Sequence, residues 1–487
     1  MERDVIIIGA GIAGLTAAIY ARRSGLNVTL VEQHGIVGGI CTSWKRKGYL
    51  FEGAIHWLTG SSPKTDLYQI WKETGALGDK VPVLYKDPFH SVDYDGQVIH
   101  LYRDMAKTVQ HLSSVSPEDG PKLQRLLYEV NKLCKMQMPL TDVKGVKSEN
   151  PRRMAFGNLF GMLPALPLIA KYNKISSGEF ADQFTHPGIR RLFRIVFDEY
   201  DASSAVFTLA TLHAGDGGYP EGGSLPMTDR MARTFMDLGG KLLLKSKVQK
   251  VVIRDGKAVG IMLNGSEMKA DAVVVTQETI AALGNLFDEA PRDAWLAELR
   301  RSVKPAACAF VSIGVKTVFG DGVLPEWKLD KPIVYAGKNV DGIYFYSYPR
   351  HAPEGCTALT TALFGDAYDY WKKAKDEGCY EDEKQKLADQ VTGALCDKYP
   401  QCKGNIEVTD VATPLTYERY TGAYHGSWMS VTGPNEKKKQ YQGDCESVAG
   451  LYFAGHRMML PGGLPVAAAS GRTAAQLLCR QFGATFK

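Results

Sequence analysis

The chain has 487 residues, 45% of them apolar and 23% charged, with a formal net charge of +5. One hydrophobic core does not extend over such a length, so two or three domains are expected. The weak positive charge, without any Lys/Arg run of five, excludes a nucleic-acid footprint. Nine cysteines lie scattered without CxxC or metal-ligand spacing. That pattern speaks against a cysteine metal centre or a disulfide framework and for reduced thiols in a cytoplasmic protein. No apolar stretch reaches 18 residues, and Val5–Ile8 runs straight into glycines, so neither a transmembrane helix nor a signal peptide is expected.

In chain order, Val5–Ile8 reads as a strand buried on both faces. Leu15–Arg23 has helical spacing and stops at Ser24-Gly25, and Asn27–Val31 is a second strand closing on Glu32. Residues 61–214 read as mostly helical, with a hairpin around Asp95-Gly96. Ser116-Pro117-Glu118-Asp119 predicts a helix start with Ser116 as cap. The apolar segment Phe156–Ala170 is flanked by Lys144, Lys147, Arg152 and Arg153 before it and by Lys171 and Lys174 after it. It is too short to span a bilayer and is expected to make peripheral membrane contact. Strands follow within 242–275, near 309–315, 333–335, 343–348 and 358–363, with a charged helix near 381–398. The chain closes with a strand at 451–454, a Gly-rich loop and a helix through about Phe482.

Residues 9–14 read Gly-Ala-Gly-Ile-Ala-Gly. The motif follows a branched strand, opens a helix, and is followed by Glu32 at the end of the next strand, which is the context a dinucleotide site requires. Gly9 makes the tight turn, Gly11 lets the backbone approach a pyrophosphate, and Gly14 lets helix and strand pack closely. The helix N-terminus presents free N–H groups to the phosphates, and Glu32 can accept from ribose hydroxyls. Two distant features point to FAD rather than NAD. One is Gly450–Gly455 followed by Pro461-Gly462-Gly463-Leu464-Pro465, a second helix start able to stabilise negative charge on a reduced flavin. The other is the block 248–274, a small sheet suited to the adenosine half.

With those motifs in view, the chain resembles the phytoene-desaturase-like branch of the FAD-dependent amine-oxidase fold, which includes carotenoid desaturases, carotenoid isomerases and retinol saturases. The matching stretches are VIIIGAGIAGLTAA (5–18), Gly38-Gly39, GYLFEGAIHWL (48–58), GGYPEGG (217–223), GKAVGIML…ADAVVVT (256–276), TPLTYERYTG (413–422) and GLYFAG…PGG (450–463). The resemblance implies an α/β protein: a discontinuous Rossmann-type FAD-binding domain of the glutathione-reductase kind plus an α+β substrate domain with a mixed sheet and a helical part. The expected division is 1–60, 215–285 and 421–487 for FAD, with 61–214 and 286–420 for substrate. The membrane-contact segment would be 155–171.

The same resemblance assigns Gly9, Gly11 and Gly14, with Ile12 and Ala13 between them, and Glu32 to the pyrophosphate and ribose. It puts Gly38 and Gly39 near the pyrophosphate and Val248 at the adenine. Gly455, Gly462, Gly463, Leu464, Pro465 and Val466 follow along the ribityl chain and flavin ring. His456 stands where an acid often holds a ribityl hydroxyl, and Ile40 where an arginine is usual.

For chemistry, His56 is the candidate proton donor, and His456 with Arg457 the candidate positive charge beside a reduced flavin. Tyr219 and Glu221 are expected at the mouth of the site, and Glu418 with Arg419 as an ion pair. Cys41 is close enough to the pyrophosphate loop for a covalent flavin link to be considered, though a buried cysteine usually only packs. No metal site is expected. The expected activity is FAD-dependent desaturation or saturation of C=C bonds (CH–CH chemistry) in a hydrophobic polyene or isoprenoid-like lipid. The alternatives are a non-redox double-bond isomerase, an amine oxidase, which a positive charge at His456 and Arg457 would disfavour, and a prenyl-lipid binding protein.

Overall fold

The computed structural model describes residues 3–134, 136, 140–152, 163–195 and 200–487. Its first layer is a parallel five-stranded sheet in the order Lys241–Leu243, Asn27–Val31, Asp4–Ile8, Ala272–Val275, Leu451–Phe453. The first strand sits at the centre, and its branched side chains serve two cores. Val5 and Ile7 pack on one face, Ile6 and Ile8 on the other. This is why the run is apolar without alternation.

The helix Ile12–Arg23 leaves the central strand and packs across the final helix, Leu464–Phe482. The crossing is close enough that a Cβ on Gly471 would stand 2.4 Å from the Ala13 carbonyl oxygen. A three-stranded antiparallel sheet, Val248–Arg254, Lys257–Leu263 and Ser266–Lys269, flanks this layer.

A second, seven-stranded sheet runs Ile406–Ala412, Cys308–Val315, Thr357–Phe364, Lys338–Tyr348, Gly322–Tyr335, His90–Tyr94, Gln97–Leu101. It is mixed, because Gly322–Tyr335 pairs parallel to His90–Tyr94 while its other neighbours are antiparallel. Asp95 and Gly96 turn the last hairpin with φ of 51° and 82°, the left-handed pair a two-residue connection favours. Helices including Met105–Val115, Gly120–Leu133, Pro187–Arg194 and Ala202–His213 share one core beside that hairpin.

One local expectation is corrected. Ser116 does not cap an α-helix: its hydroxyl donates to Asp119 (2.9 Å), a 3₁₀ turn occupies Pro117–Asp119, and the helix begins at Gly120. Asp119 instead accepts the Thr185 and His186 amides, tying two helical segments together. Of the segment expected at a membrane, residues 155–162 lie outside the described residues. From its remainder, Leu163 and Leu166 are each 49% exposed, while Ala165 is buried. No helix among the described residues is long and apolar enough to cross a membrane.

Candidate functional site

A single cavity of about 2110 Å³ runs between the two sheets. Ordinary small-molecule sites enclose roughly 300–1,000 Å³, so the space suits a large cofactor and a second ligand together. At one end the wall is backbone. Gly9, Gly11, Ile12, Ala13, Gly38 and Gly39 line it, with Glu32 beside them and Val248 across from them.

Each glycine there has its own reason. Gly9 has a φ of +100°, and a Cβ on Gly14 would lie 1.9 Å from the Gly9 carbonyl oxygen, so both are required by the protein itself. Gly11 differs. Its φ of −74° is ordinary, and a Cβ would meet no protein atom nearer than 3.7 Å. The chain does not need a glycine at 11, but a ligand pressed against the backbone does.

Glu32 is fixed by the same turn: the Ala10 and His34 amides each donate to one of its oxygens at 2.8 Å. Burial raises its pKa, and those two amides pull it back. Each oxygen keeps a lone pair for a ribose hydroxyl. The helix Ile12–Arg23 carries no side-chain cap and no acid in its first turn, which leaves its N–H groups for a phosphate.

A second uncapped helix start faces the same space. Gly462 and Gly463 have φ of 108° and 100° and lead into Leu464, Pro465 and Val466, again without a cap or an acid in the first turn. Gly455, also on the wall, is held by Ser470, which accepts its amide (2.9 Å) and donates to its carbonyl (3.1 Å). These residues fit an FAD: two bare helix starts face one cavity beside a fixed carboxylate.

The charged pair expected after Gly455 is corrected. His456 lines the cavity, but burial and the neighbouring Arg457 charge push its pKa well below the usual range, so it is neutral. Arg457 does not reach the wall. Fully buried, it donates to Glu278 (2.8 Å) and to Ser427 (2.6 Å). Positive potential at this end comes from the helix start at Leu464 instead, and the argument that two side-chain charges repel an ammonium is lost.

Other expectations at the rim also change. Glu418 accepts from the Tyr368 hydroxyl at 2.9 Å and Arg419 bonds Tyr420, so these neighbours do not form an ion pair. Glu221 pairs with Arg350 (2.9 Å), and Tyr219 is buried behind the wall rather than at a mouth. Cys41 is on the wall, but burial and then the Glu52 charge hold it as a thiol, which disfavours a covalent link.

At the other end the wall is made of side chains. The loop carrying His56 leaves the strand Tyr49–Glu52 and is organised by Glu52, which is fully buried. One Glu52 oxygen accepts the Ala54 (3.0 Å) and Ile55 (3.2 Å) amides and the Ser224 hydroxyl. The other accepts the Ser224 amide (2.9 Å) and the Tyr219 hydroxyl (3.1 Å). Gly223 is forced by this hub, since a Cβ there would stand 2.1 Å from Glu52 and 2.3 Å from Tyr219.

His56 itself stacks flat on Tyr346, 3.7 Å between centroids, and its Nδ1 meets the Tyr348 hydroxyl at 2.7 Å. Burial, then the charge on Lys86 and then His90, lower its pKa to about 3. The expected proton donor is therefore a neutral imidazole at neutral pH and does not act as an imidazolium acid. Sequence reasoning missed Tyr344, Tyr346 and Tyr348. Their alternation in one strand puts them on one face, and Tyr344 and Tyr346 line the cavity beside Trp57, Phe310, Tyr417 and Trp428. Opposite them the helix Ala202–His213 presents Ser204, Phe207, Thr208 and Thr211, whose spacing makes a single face.

The profile of the family described as flavin containing amine oxidoreductase matches residues 12–479. Over 527 residues the chain is 26% identical to prolycopene isomerase of Daucus carota, covering 99% of this chain and 81% of that protein. It is 23% identical to all-trans-retinol 13,14-reductase of Danio rerio, covering 95% and 83%. A solved structure of a putrescine oxidase variant superposes with a TM-score of 0.64 at 18% identity, covering 99% of both chains. The chain belongs to the flavin containing amine oxidoreductase family and is a flavin-dependent oxidoreductase that takes FAD as cofactor.

Proposed function

We propose that the protein oxidises or reduces C=C bonds of a hydrophobic polyene or isoprenoid-like lipid. The observation that carries this reading is the continuity of the cavity: one space leads from the Glu32 corner past the helix start at Leu464 into an arm walled by aromatic rings. FAD supplies or accepts a hydride equivalent when bound. The rest falls to the chain. The Leu464 helix start favours negative charge at the flavin end. Trp57, Phe310 and Trp428 exclude water and offer flat surfaces to a conjugated chain. Thr208 and Thr211 donate to the Ser204 and Phe207 carbonyls of their own helix (3.0 and 2.9 Å), so these hydroxyls do not demand donors or acceptors from an apolar substrate.

The curated relatives named for prolycopene and retinol support the same substrate class. The first of them also favours a second reading, double-bond isomerisation without net electron transfer. Anaerobic incubation of the reduced holoprotein with all-trans-retinol and with prolycopene separates the possibilities. Flavin reoxidation with a saturated product supports the main reading. Isomerised product with the flavin still reduced supports the second. Inertness toward both, with flavin reduction by simple amines, overturns the proposal.

A further inference from the structure

Behind the His56 wall lies a second, much smaller cavity of about 20 Å³. His56, Trp57 and Tyr346 line both cavities and thus form the partition between them. The far side of the small one includes Lys86, Arg103, Gly217 and Tyr219, with Leu84, Phe89 and Val323 completing it. A volume of about 10–15 Å³ by this measure holds one water, provided that two or more polar groups meet it. Two candidates stand ready: His56 Nε2 is buried without a hydrogen-bond partner among the described residues, and Lys86 Nζ, buried and 2.8 Å from Asp321, keeps further N–H groups to give.

Lys86 is not an isolated charge. It forms an ion pair with Asp321 at 2.8 Å, and Asp321 is 28% exposed and also faces Arg350 at 3.8 Å. The ammonium lies over the Tyr348 and Tyr219 rings, 4.3 and 4.9 Å from their centroids. Glu52 and Arg350 are the other charges acting on it. Lys86 therefore spans the distance from a solvent-touching carboxylate to the back of the His56 wall.

We propose that the small cavity is a water site, and that Lys86, this water and Tyr346 form the route that supplies a proton to the large cavity. The proposal rests on the C=C chemistry above, in which one carbon gains a hydride and its neighbour gains a proton. The Tyr348 hydroxyl donates to His56 Nδ1, because a phenol is the stronger donor and imidazole nitrogen the stronger acceptor. His56 then carries its own hydrogen on Nε2. A water receiving both this N–H and the Lys86 ammonium has its hydrogens left to give to Tyr346. Tyr346 yields its hydroxyl proton to the substrate carbon, the water restores it, Lys86 restores the water, and solvent at Asp321 restores Lys86. One proton enters and one is consumed; in the desaturating direction the same steps run backward. His56 and Lys86 are positioning residues in this scheme, and Tyr346 is the group that meets substrate. Burial lowers the Lys86 pKa and the Asp321 charge opposes that shift, which brings a lysine closer to the range where it gives up a proton.

Three observations on the FAD-loaded protein test it. A high-resolution crystal structure is expected to contain a water within hydrogen-bond distance of Lys86 Nζ and His56 Nε2, and nitrogen NMR to find His56 as the Nε2–H tautomer. Val323 lines only the small cavity, so Val323→Ile is expected to expel the water and, with FAD content unchanged, to slow reduction of all-trans-retinol about tenfold. Lys86→Met is expected to slow it similarly and to abolish the alkaline limb of the pH profile, which a purely structural role would leave in place. An empty small cavity in the wild type, or wild-type rates and pH profile in both variants, overturns the route. If the wild type reduces no polyene, the substrate reading falls, and the water and tautomer alone decide the site.

Discussion

The two ends of the large cavity are built by different means. The cofactor end is backbone: glycines, two bare helix starts and a glutamate held by amides. The opposite end is walled by side chains such as His56 and Tyr346, which Glu52, Lys86 and Tyr348 back from distant strands and loops. Backbone geometry is set within a few residues, so the first end depends on Gly9 and Gly14 themselves. The second end depends on long-range pairing, so each of its groups leans on another.

This contrast can be broken or sharpened by substitution. The largest effect belongs to Arg457, a side-chain element placed beneath the backbone-built end. Arg457→Ala leaves the buried Glu278 without its guanidinium partner and is expected to destabilise by about 3–5 kcal/mol in denaturant unfolding. Wild-type stability in that variant would contradict the buried pair. Next come the paired glycines. Gly14→Ala forces a Cβ into the Gly9 carbonyl and is expected to cost about 3 kcal/mol even without cofactor. Gly11→Ala is expected to leave the apoprotein's melting point unchanged while lowering the flavin-to-protein absorbance ratio. Equal melting behaviour of the two apoproteins would remove the distinction between a turn glycine and a ligand glycine.

At the side-chain end, Glu52→Gln places an amide NH₂ among five donors. The expected loss is about 2 kcal/mol, with a visible change in the environment of His56 by NMR. The smallest effect concerns acid stability. His90 is buried with neither ring nitrogen partnered among the described residues, and burial lowers its pKa from 6.5 to about 3. A depressed histidine contributes stability that is complete above 6.5 and is lost as pH falls toward 3, because only the unfolded chain binds the proton. His56, His351 and His456 behave alike. His90→Phe removes one of these contributions, so its acid-unfolding midpoint, followed by tryptophan fluorescence, is expected at lower pH than that of the wild type. A midpoint that does not move would count against a neutral buried His90.

The same division explains what could be read from the sequence. The turn at 9–14, the strand pair around it and the Gly462-Gly463 helix start were legible because each is a local rule written in consecutive residues. The alternate tyrosines of 344–348 carried a local signal too, since a period of two assigns them to one face, but nothing local joins that face to His56. Arg457 follows an Ala-Gly pair and looked available; its partner Glu278 is 179 residues away. Glu418 and Arg419 looked paired because they are adjacent, yet neighbours on a helix point apart, and each found a tyrosine. Ser116 failed as a cap because Asp119, three residues on, is a stronger acceptor whose true task is to bind the Thr185 and His186 amides.

The crossing of the helices Ile12–Arg23 and Leu464–Phe482 has a consequence for biosynthesis. The phosphate turn is synthesised well before the strand Leu451–Phe453 that borders the central sheet and the helix Leu464–Phe482 that crosses the first one. A nascent chain stopped before Gly450 carries the whole Gly9–Glu32 fingerprint and still lacks Gly455 and Gly462–Val466 of the cavity wall. Competence to hold FAD is thus acquired only once both helices have been made, and the bound dinucleotide, once seated, fastens together segments that lie far apart in the chain.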